Sequence, residues 1–144
     1  MIFERQMVTA CIIDDDDIFI YGFKKFIEIK GVFAHILHFS NGKEAIDYLK
    51  DPSYAGSLPD VIFVDINMPV MDGWEFTQNF EEIKSLIGKK ISVYAISSSV
   101  DIKDINRAKN NPVIKDYILK PISESHVAEI INSYQPRPGF GGLN

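Results

Sequence analysis

Residues 61–73, VIFVDINMPVMDG, are the most informative segment of the chain. Its first four residues are all apolar, which indicates a short strand buried on both faces, and Asp65 follows at the end of that strand. Pro69 and Gly73 punctuate the turn that comes next. Apolar residues then recur at helical spacing, at Phe76, Phe80, Ile83 and Ile87. The stretch therefore predicts a strand, a turn and an amphipathic helix, with a carboxylate where the strand ends.

The same unit recurs along the rest of the chain. Further strands are predicted at residues 8–13, 32–39, 91–96 and 117–119. Apolar residues at helical spacing follow each of them, in segments covering residues 19–27, 45–49, 102–108 and 127–131. A strand followed by a helix five times implies right-handed crossovers and a parallel sheet covered on both faces. The expected fold is therefore α/β, an open, doubly wound (βα)5 sandwich with a five-stranded parallel sheet.

The length and the turn residues indicate one domain. A chain of 144 residues leaves room for one compact core and not for a separate output domain. Residues 1–134 are expected to form that domain, and the Pro- and Gly-rich residues 135–144 a flexible C-terminal tail. Asn41 is expected to open the second helix and Ser123 to cap the fifth, while residues 52–59 are expected to form a loop.

The composition excludes several classes of protein. Hydrophobic residues make up 46% and charged residues 24%, the balance of an ordinary globular protein rather than a disordered one. The net charge is -5, whereas proteins that bind nucleic acids or anionic membranes present a positively charged surface. Cys11 is the only cysteine, so no internal disulfide or cysteine-based metal site forms. The chain has no signal-peptide pattern and no apolar run of membrane-spanning length, so we expect a cytoplasmic protein.

Chemically active side chains stand where the predicted strands end. Four aspartates, residues 14–17, follow the first strand, Asp65 ends the third, Ser97 the fourth and Lys120 follows the fifth. In an open parallel sheet, ligands bind at the carboxyl ends of the strands. Clustered carboxylates repel one another, and a hard divalent cation that prefers oxygen ligands removes that cost, which points to Mg²⁺. Asp65 is then the expected nucleophile toward a phosphoryl group whose oxygens Lys120 and a serine hydroxyl would bind.

Residues 65–73, DINMPVMDG, resemble the phosphoacceptor loop of response-regulator receiver domains of two-component signalling, whose pattern is D-x-x-M-P-x-M-D-G. The acidic cluster, Ser97 and the pair Lys120-Pro121 fall in the matching order on the other strand ends, so the resemblance covers roughly residues 7–133. It implies the flavodoxin-like strand order 2-1-3-4-5. It also implies a response regulator similar to a chemotaxis regulator, either a single-domain protein or a receiver excised from a larger one.

The resemblance implies a metal site around the phosphoacceptor. Asp65 matches the residue that receives the phosphoryl group. Asp14 and Asp15 match the acidic pair of the family, with Asp15 as the direct Mg²⁺ ligand and Asp14 acting through water. Asn67 matches the position whose backbone carbonyl completes the metal shell.

The resemblance also implies a switch beside the metal site. Ser97 matches the hydroxyl that turns inward to bond the phosphoryl group. Tyr117 matches the aromatic residue that follows it from solvent into the vacated space. Lys120 matches the family's lysine, whose bond to Pro121 would be cis. Periodicity and composition alone, without the resemblance, predict that Ser97 ends a strand and that Tyr117 is an ordinary core residue.

The implied function is phosphotransfer signalling. A sensor histidine kinase or a histidine phosphotransfer protein would supply the phosphoryl group, and the domain itself would catalyse transfer to Asp65 and later hydrolysis. Beyond that self-catalysed chemistry the protein would not be an enzyme. Phosphorylation would switch a face built from the fourth helix, the fifth strand and the fifth helix. A downstream protein or a phosphorylation-dependent dimer would use that face, without direct nucleic-acid contact or membrane insertion.

Two other functions are left open by the sequence. A phosphatase of the haloacid-dehalogenase type also uses an aspartate nucleophile and Mg²⁺, but it needs a second carboxylate two residues later, where this chain has Asn67. A receiver-like module that only binds partners would not require the full set of site residues. Asp16 and Asp17 are interpreted as N-cap and first-turn charges of the first helix rather than as metal ligands.

Overall fold

The computed structural model describes residues 7–32 and 34–134, and the elements below are those of this part of the chain. The strands are β1 (Val8–Ile13), β2 (Ala34–Phe39), β3 (Val61–Asp65), β4 (Ser92–Ser97) and β5 (Ile114–Leu119). The helices are α1 (Asp17–Ile29), α2 (Gly42–Lys50), α3 (Gly73–Ile83), α4 (Ile102–Lys109) and α5 (Glu124–Asn132). The predicted tail, residues 135–144, lies outside the described residues.

The five strands form one sheet in the order β2-β1-β3-β4-β5, and every neighbouring pair is parallel. This confirms the doubly wound fold and the strand order 2-1-3-4-5. Because β2 and β3 flank β1 on opposite sides, the direction in which the chain adds strands reverses between β1 and β3. That reversal opens a crevice at the carboxyl ends of these two strands.

The core consists of two layers, one on each side of the sheet, because successive side chains of a strand face opposite ways. On one side, Ile12 and Phe63 belong to the cluster that includes residues of α1 and α5. On the other side, Ile13 and Val64 belong to the cluster that includes residues of α2 and α3. The three central strands, β1, β3 and β4, are thus buried on both faces, as their continuous apolar sequences predict.

The predicted helix starts are confirmed by capping bonds. Asp16 accepts hydrogen bonds from the backbone N–H groups of Ile18 and Phe19 and so caps α1. Asn41 accepts one from Glu44 at α2, and Ser123 caps α5 in the same way. Each cap satisfies a backbone donor that the first helical turn leaves free. Within the described residues, no helix is long and apolar enough to cross a membrane.

The loop predicted at residues 52–59 is wrong, because a short 3-10 helix occupies Pro52–Ser57. Asp51 precedes it and accepts hydrogen bonds from both the backbone N–H and the hydroxyl of Ser53. Pro52 fixes the backbone at the first helical position, where its missing N–H costs nothing. A cap followed by proline therefore ordered a segment whose polar and glycine residues were typical of a loop.

The fifth strand is three residues longer at its start than residues 117–119, the predicted segment. Its added residues include Lys115 and Asp116, which are exposed because β5 is an edge strand. Charged side chains on an edge discourage pairing with other chains but interrupt the apolar pattern that identifies a strand. The third helix also differs from its prediction: α3 ends at Ile83, and a 3-10 turn, Lys84–Leu86, leads to the buried Ile87.

Candidate functional site

Four of the predicted site residues, Asp14, Asp15, Asp65 and Lys120, meet at the crevice between β1 and β3. Asp65 is the last residue of β3, and Asp14 follows β1 directly. Asp14 is fully buried and Asp65 is 7% exposed, so both carboxylates sit inside the protein rather than in solvent. The backbone N–H of Asp14 donates to the carbonyl of Phe39, and that of Ile66 donates to Ile96. These bonds continue the sheet past the strand ends and fix where the two carboxylates lie.

Lys120 joins the two carboxylates. Its ammonium nitrogen lies 2.8 Å from Oδ2 of Asp14 and 3.2 Å from Oδ2 of Asp65. The other oxygen of Asp14 accepts the backbone N–H of Asp16 at 2.9 Å, and the other oxygen of Asp65 accepts that of Asn67 at 3.0 Å. The peptide bond that follows Lys120 is cis, as the resemblance implies.

Burial and charge set the protonation of this group. Burial raises the pKa of Asp65 above its ordinary value, and the nearby Asp14 adds to the rise, although the Asn67 N–H and the Lys120 ammonium oppose it. For Lys120, burial lowers the pKa, but the Asp14 and Asp65 carboxylates together raise it above the ordinary value. Lys120 is therefore a charged ammonium that lies beside Asp65, whose charged form is disfavoured by burial.

The donor set suits a hard divalent cation. Asp14, Asp15 and Asp65 each offer a carboxylate oxygen, and these oxygens lie within 4.8 Å of one another. Octahedral Mg²⁺ holds its ligands at about 2.1 Å, so opposite ligand oxygens stand about 4.2 Å apart, and the carboxylates would need to draw together by no more than a fraction of an ångström to hold one ion. Asp15 is exposed, which leaves one side of the cluster open to a ligand from solvent. The residues present therefore fit Mg²⁺.

Ser97 and Tyr117 both form a hydrogen bond with Ser99. The hydroxyl of Ser97, which is fully buried, accepts the backbone N–H of Ser99 at 3.0 Å. The hydroxyl of Tyr117 donates to the carbonyl oxygen of Ser99 at 2.8 Å. The side chain of Ser99 also donates to Asp104 on α4 at 2.7 Å. One residue of the β4–α4 loop therefore links the predicted switch hydroxyl, the predicted switch aromatic and α4.

The loop from Asp65 to α3 is held close to the site by Gly73. A Cβ atom on Gly73 would lie 2.7 Å from the carbonyl oxygen of Asp65, closer than real contacts allow. Its N–H donates to the carbonyl of Ile66 at 2.9 Å, and Asp72 caps α3 by accepting the N–H of Glu75. Val70 lies in the same loop and has a φ of 67°, a strained value for a β-branched residue. It is the central residue of a γ-turn in which the N–H of Met71 donates to the carbonyl of Pro69.

Sequence reasoning missed one neighbour of the site, Phe19. Its apolar spacing on α1 predicts only a core residue, yet the Lys120 nitrogen lies 4.2 Å from the centre of its ring. The position of Phe19 in the first turn of α1, directly behind the acidic cluster, is the only sequence signal that places it near the carboxyl ends of the strands. Periodicity carries no information about which way a ring faces.

Comparison with known proteins identifies the architecture. The family model described as response regulator receiver domain matches residues 10–132. Chemotaxis protein CheY of Bacillus subtilis is 29% identical over 126 residues, which are 88% of this chain and 97% of that protein. The crystal structure of a two component response regulator from Cytophaga hutchinsonii matches with a TM-score of 0.78 at 29% identity, covering 90% of this chain and 97% of that one.

Other relatives are longer proteins. Hybrid signal transduction histidine kinase I of Dictyostelium discoideum is 31% identical over 93 residues, which are 65% of this chain and 5% of the kinase. Across the first four relatives matched by sequence, the chain spans between 5% and 59% of their length. The likeness to these proteins is therefore a likeness to one of their parts.

Proposed function

This chain belongs to the response regulator receiver domain family, and on that premise we propose that it accepts a phosphoryl group on Asp65 and uses it to switch a protein-binding face. The observation that carries the proposal is the position of the Lys120 ammonium, bonded to both Asp14 and Asp65 while Asp15 stands within reach on the open side. A buried carboxylate beside a fixed cation and an acidic metal cluster has the parts that phosphoryl transfer needs.

The transfer step uses Asp65 as the nucleophile. A carboxylate oxygen of Asp65 attacks the phosphorus of a phosphohistidine, the P–N bond breaks, and its electron pair stays on the imidazole nitrogen, which takes up a proton from solvent. Lys120 neutralises the charge that the phosphoryl oxygens bring into the crevice. The N–H of Asn67 holds the second oxygen of Asp65 and so orients the carboxylate.

The metal site belongs to the same step. Asp14, Asp15 and Asp65, together with the backbone carbonyl of Asn67, would hold Mg²⁺, with Asp15 as the direct ligand and Asp14 acting through water. The ion supplies electrostatic stabilisation of the transferring phosphoryl group when bound. Asp16 and Asp17 remain outside this set, because Asp16 is committed to capping α1.

The response would travel from Ser97 to the surface. A hydroxyl that accepts one hydrogen bond still has its own hydrogen to donate, so Ser97 can bond a phosphoryl oxygen. A shift of Ser97 would disturb the N–H of Ser99, whose carbonyl holds the hydroxyl of Tyr117. Tyr117 lines a groove of about 390 Å³ between α4 and β5, which is a suitable docking face for a protein target.

Partners follow from the chemistry and the family. The phosphoryl donor would be a sensor histidine kinase or a histidine phosphotransfer protein, and one relative is itself a hybrid histidine kinase. The output would be a protein that binds the face formed by α4, β5 and α5 in only one of its two forms, or a second copy of the phosphorylated chain. The domain acts on itself and turns over no separate substrate.

The proposal is tested by incubating the protein with acetyl phosphate and Mg²⁺ and recording its intact mass. We expect the gain of one phosphoryl group, lost in Asp65→Asn and in the presence of a chelator. Asp47→Asn is the matched control, because Asp47 is an exposed carboxylate on α2 paired with Lys43. Gain that persists in Asp65→Asn would refute the assignment of the acceptor. No gain in the wild type, with acetyl phosphate or with a phosphorylated kinase, would favour a module that binds without phosphorylation.

A further inference from the structure

The Lys120 ammonium has three hydrogens, and two of them point toward carboxylate oxygens of Asp14 and Asp65. The remaining side of the nitrogen is covered by the ring of Phe19, whose centre lies 4.2 Å away. An aromatic ring carries negative charge on its face, so an ammonium at this distance is attracted to it. Lys120 is therefore held from three sides, two of them charged and one aromatic.

The ring is itself held in place. Phe19 packs against the core cluster beneath α1, and its ring centre lies 6.4 Å from that of Phe23, which is almost fully buried. Its backbone N–H donates to the capping carboxylate of Asp16, so the first turn of α1 fixes its Cα position. Because the ring cannot move freely, the ammonium that lies over it has a defined direction.

We propose that Phe19 is a positioning residue for phosphoryl transfer: its ring face holds the Lys120 ammonium against Asp65 and keeps water from that side. The inference rests on the proposed phosphorylation of Asp65. Water in place of the ring would leave the ammonium free to turn toward solvent, away from the incoming phosphoryl oxygens. The ring therefore contributes to the rate through Lys120 and touches no reacting atom itself.

The test compares initial rates of phosphorylation by acetyl phosphate with Mg²⁺ in ring-removing and ring-retaining variants. Phe19→Leu keeps an apolar side chain of similar bulk but removes the aromatic face, and we expect its rate to fall about 2- to 30-fold, the range that corresponds to measured cation–π energies. Phe19→Tyr and Phe19→Trp retain a face and are expected to restore the rate. Phe26→Leu is the matched control, since Phe26 lies on the same helix and in the same core cluster but its ring pairs with that of Phe23 rather than with Phe19.

A second readout reports the contact directly. In the wild type, the ε-methylene protons of Lys120 should show a ring-current shift by NMR, and Phe19→Leu should abolish it while Phe26→Leu should not. An unchanged rate in Phe19→Leu, or equal losses in Phe19→Leu, Phe19→Tyr and Phe19→Trp, would overturn the positioning role while leaving Asp65 as the phosphoacceptor. A wild type that takes no phosphoryl group from any donor would overturn the proposed function, and this inference with it.

Discussion

Among single residues, Lys120 contributes most to holding the site together, because its ammonium is bonded to two buried carboxylates. Replacing it in Lys120→Met keeps an unbranched apolar stem and leaves Asp14 and Asp65 without that cation. Breaking a buried pair by removing one partner costs about 3 kcal/mol or more, because the remaining charge is uncompensated. We expect a loss of that size in the free energy of unfolding, measured with urea in the presence of a chelator.

The matched control is Lys89→Met, which removes a partly exposed lysine paired with Asp60 at 2.9 Å. A pair open to solvent contributes about 0–1 kcal/mol, and the bond that Lys89 also donates to the carbonyl of Leu58 adds about 1 kcal/mol, so this variant should lose clearly less stability than Lys120→Met. Mg²⁺ should recover part of the stability lost in Lys120→Met, because the ion then supplies a cation to the carboxylates that the substitution left without one. Equal losses in the two variants would mean that burial adds nothing to the Lys120 pair.

Residue chemistry explains which site residues the sequence could predict. Asp14, Asp65 and Lys120 were predictable, because each follows an apolar strand and parallel strands end at one edge of the sheet. Phe19 was not, because its spacing on α1 is equally typical of a plain core residue. Its role depends on the direction of a ring relative to a lysine that is distant in sequence, and residue types alone do not encode that direction.

At the scale of elements, the segment between α4 and β5 is joined to α3 by Asn111. Its amide nitrogen donates to the hydroxyl of Thr77, which is almost fully buried and donates in turn to the carbonyl of Trp74. The amide oxygen of Asn111 accepts the N–H of Val113. The residues 110–113 that lead into β5 therefore form a structured link between two helices and the edge strand.

Asn111→Ala should destabilise the protein by about 1–3 kcal/mol, because it removes both bonds and leaves the Thr77 hydroxyl and the Val113 N–H short of partners. Asn110→Ala is the matched control, since Asn110 is exposed at the end of α4 and a surface substitution there should change the free energy of unfolding by less than about 0.5 kcal/mol. Urea unfolding of both variants measures the difference. Losses of equal size would show that the Thr77 bond does not stabilise this link.

The elements that sequence reasoning located well are those buried on both faces. β1 was predicted with its observed bounds, because residues 8–13 are continuously apolar. The start of β5 was missed, because Lys115 and Asp116 belong to an edge strand with a solvated side. The 3-10 helix Pro52–Ser57 was missed because it depends on a local cap at Asp51 rather than on hydrophobic periodicity.

At the scale of the whole molecule, the site exists only when the fold does. Lys120 and Asp14 are 106 residues apart in sequence, and Lys120 and Asp65 are 55 apart. An unfolded chain therefore presents no site in which these groups converge. Any ligand that binds the assembled cluster must stabilise the folded state relative to the unfolded one.

Mg²⁺ should accordingly raise the free energy of unfolding, by about 2.7 kcal/mol when its concentration is 100 times the dissociation constant. Asp15→Asn should lose most of that increment, because Asp15 is the exposed carboxylate of the metal cluster and is expected to be the direct ligand. Asp17→Asn is the matched control: Asp17 is also exposed, but it lies in the first turn of α1 and outside the cluster. Loss of the Asp17 charge should lower the free energy of unfolding without Mg²⁺ by about 0.3–1 kcal/mol through the helix dipole and leave the Mg²⁺ increment intact.

Urea unfolding with and without Mg²⁺ separates the dipole effect from the metal effect. An increment lost equally in both variants would mean that the ion responds to the general negative charge of residues 14–17 rather than to a defined site.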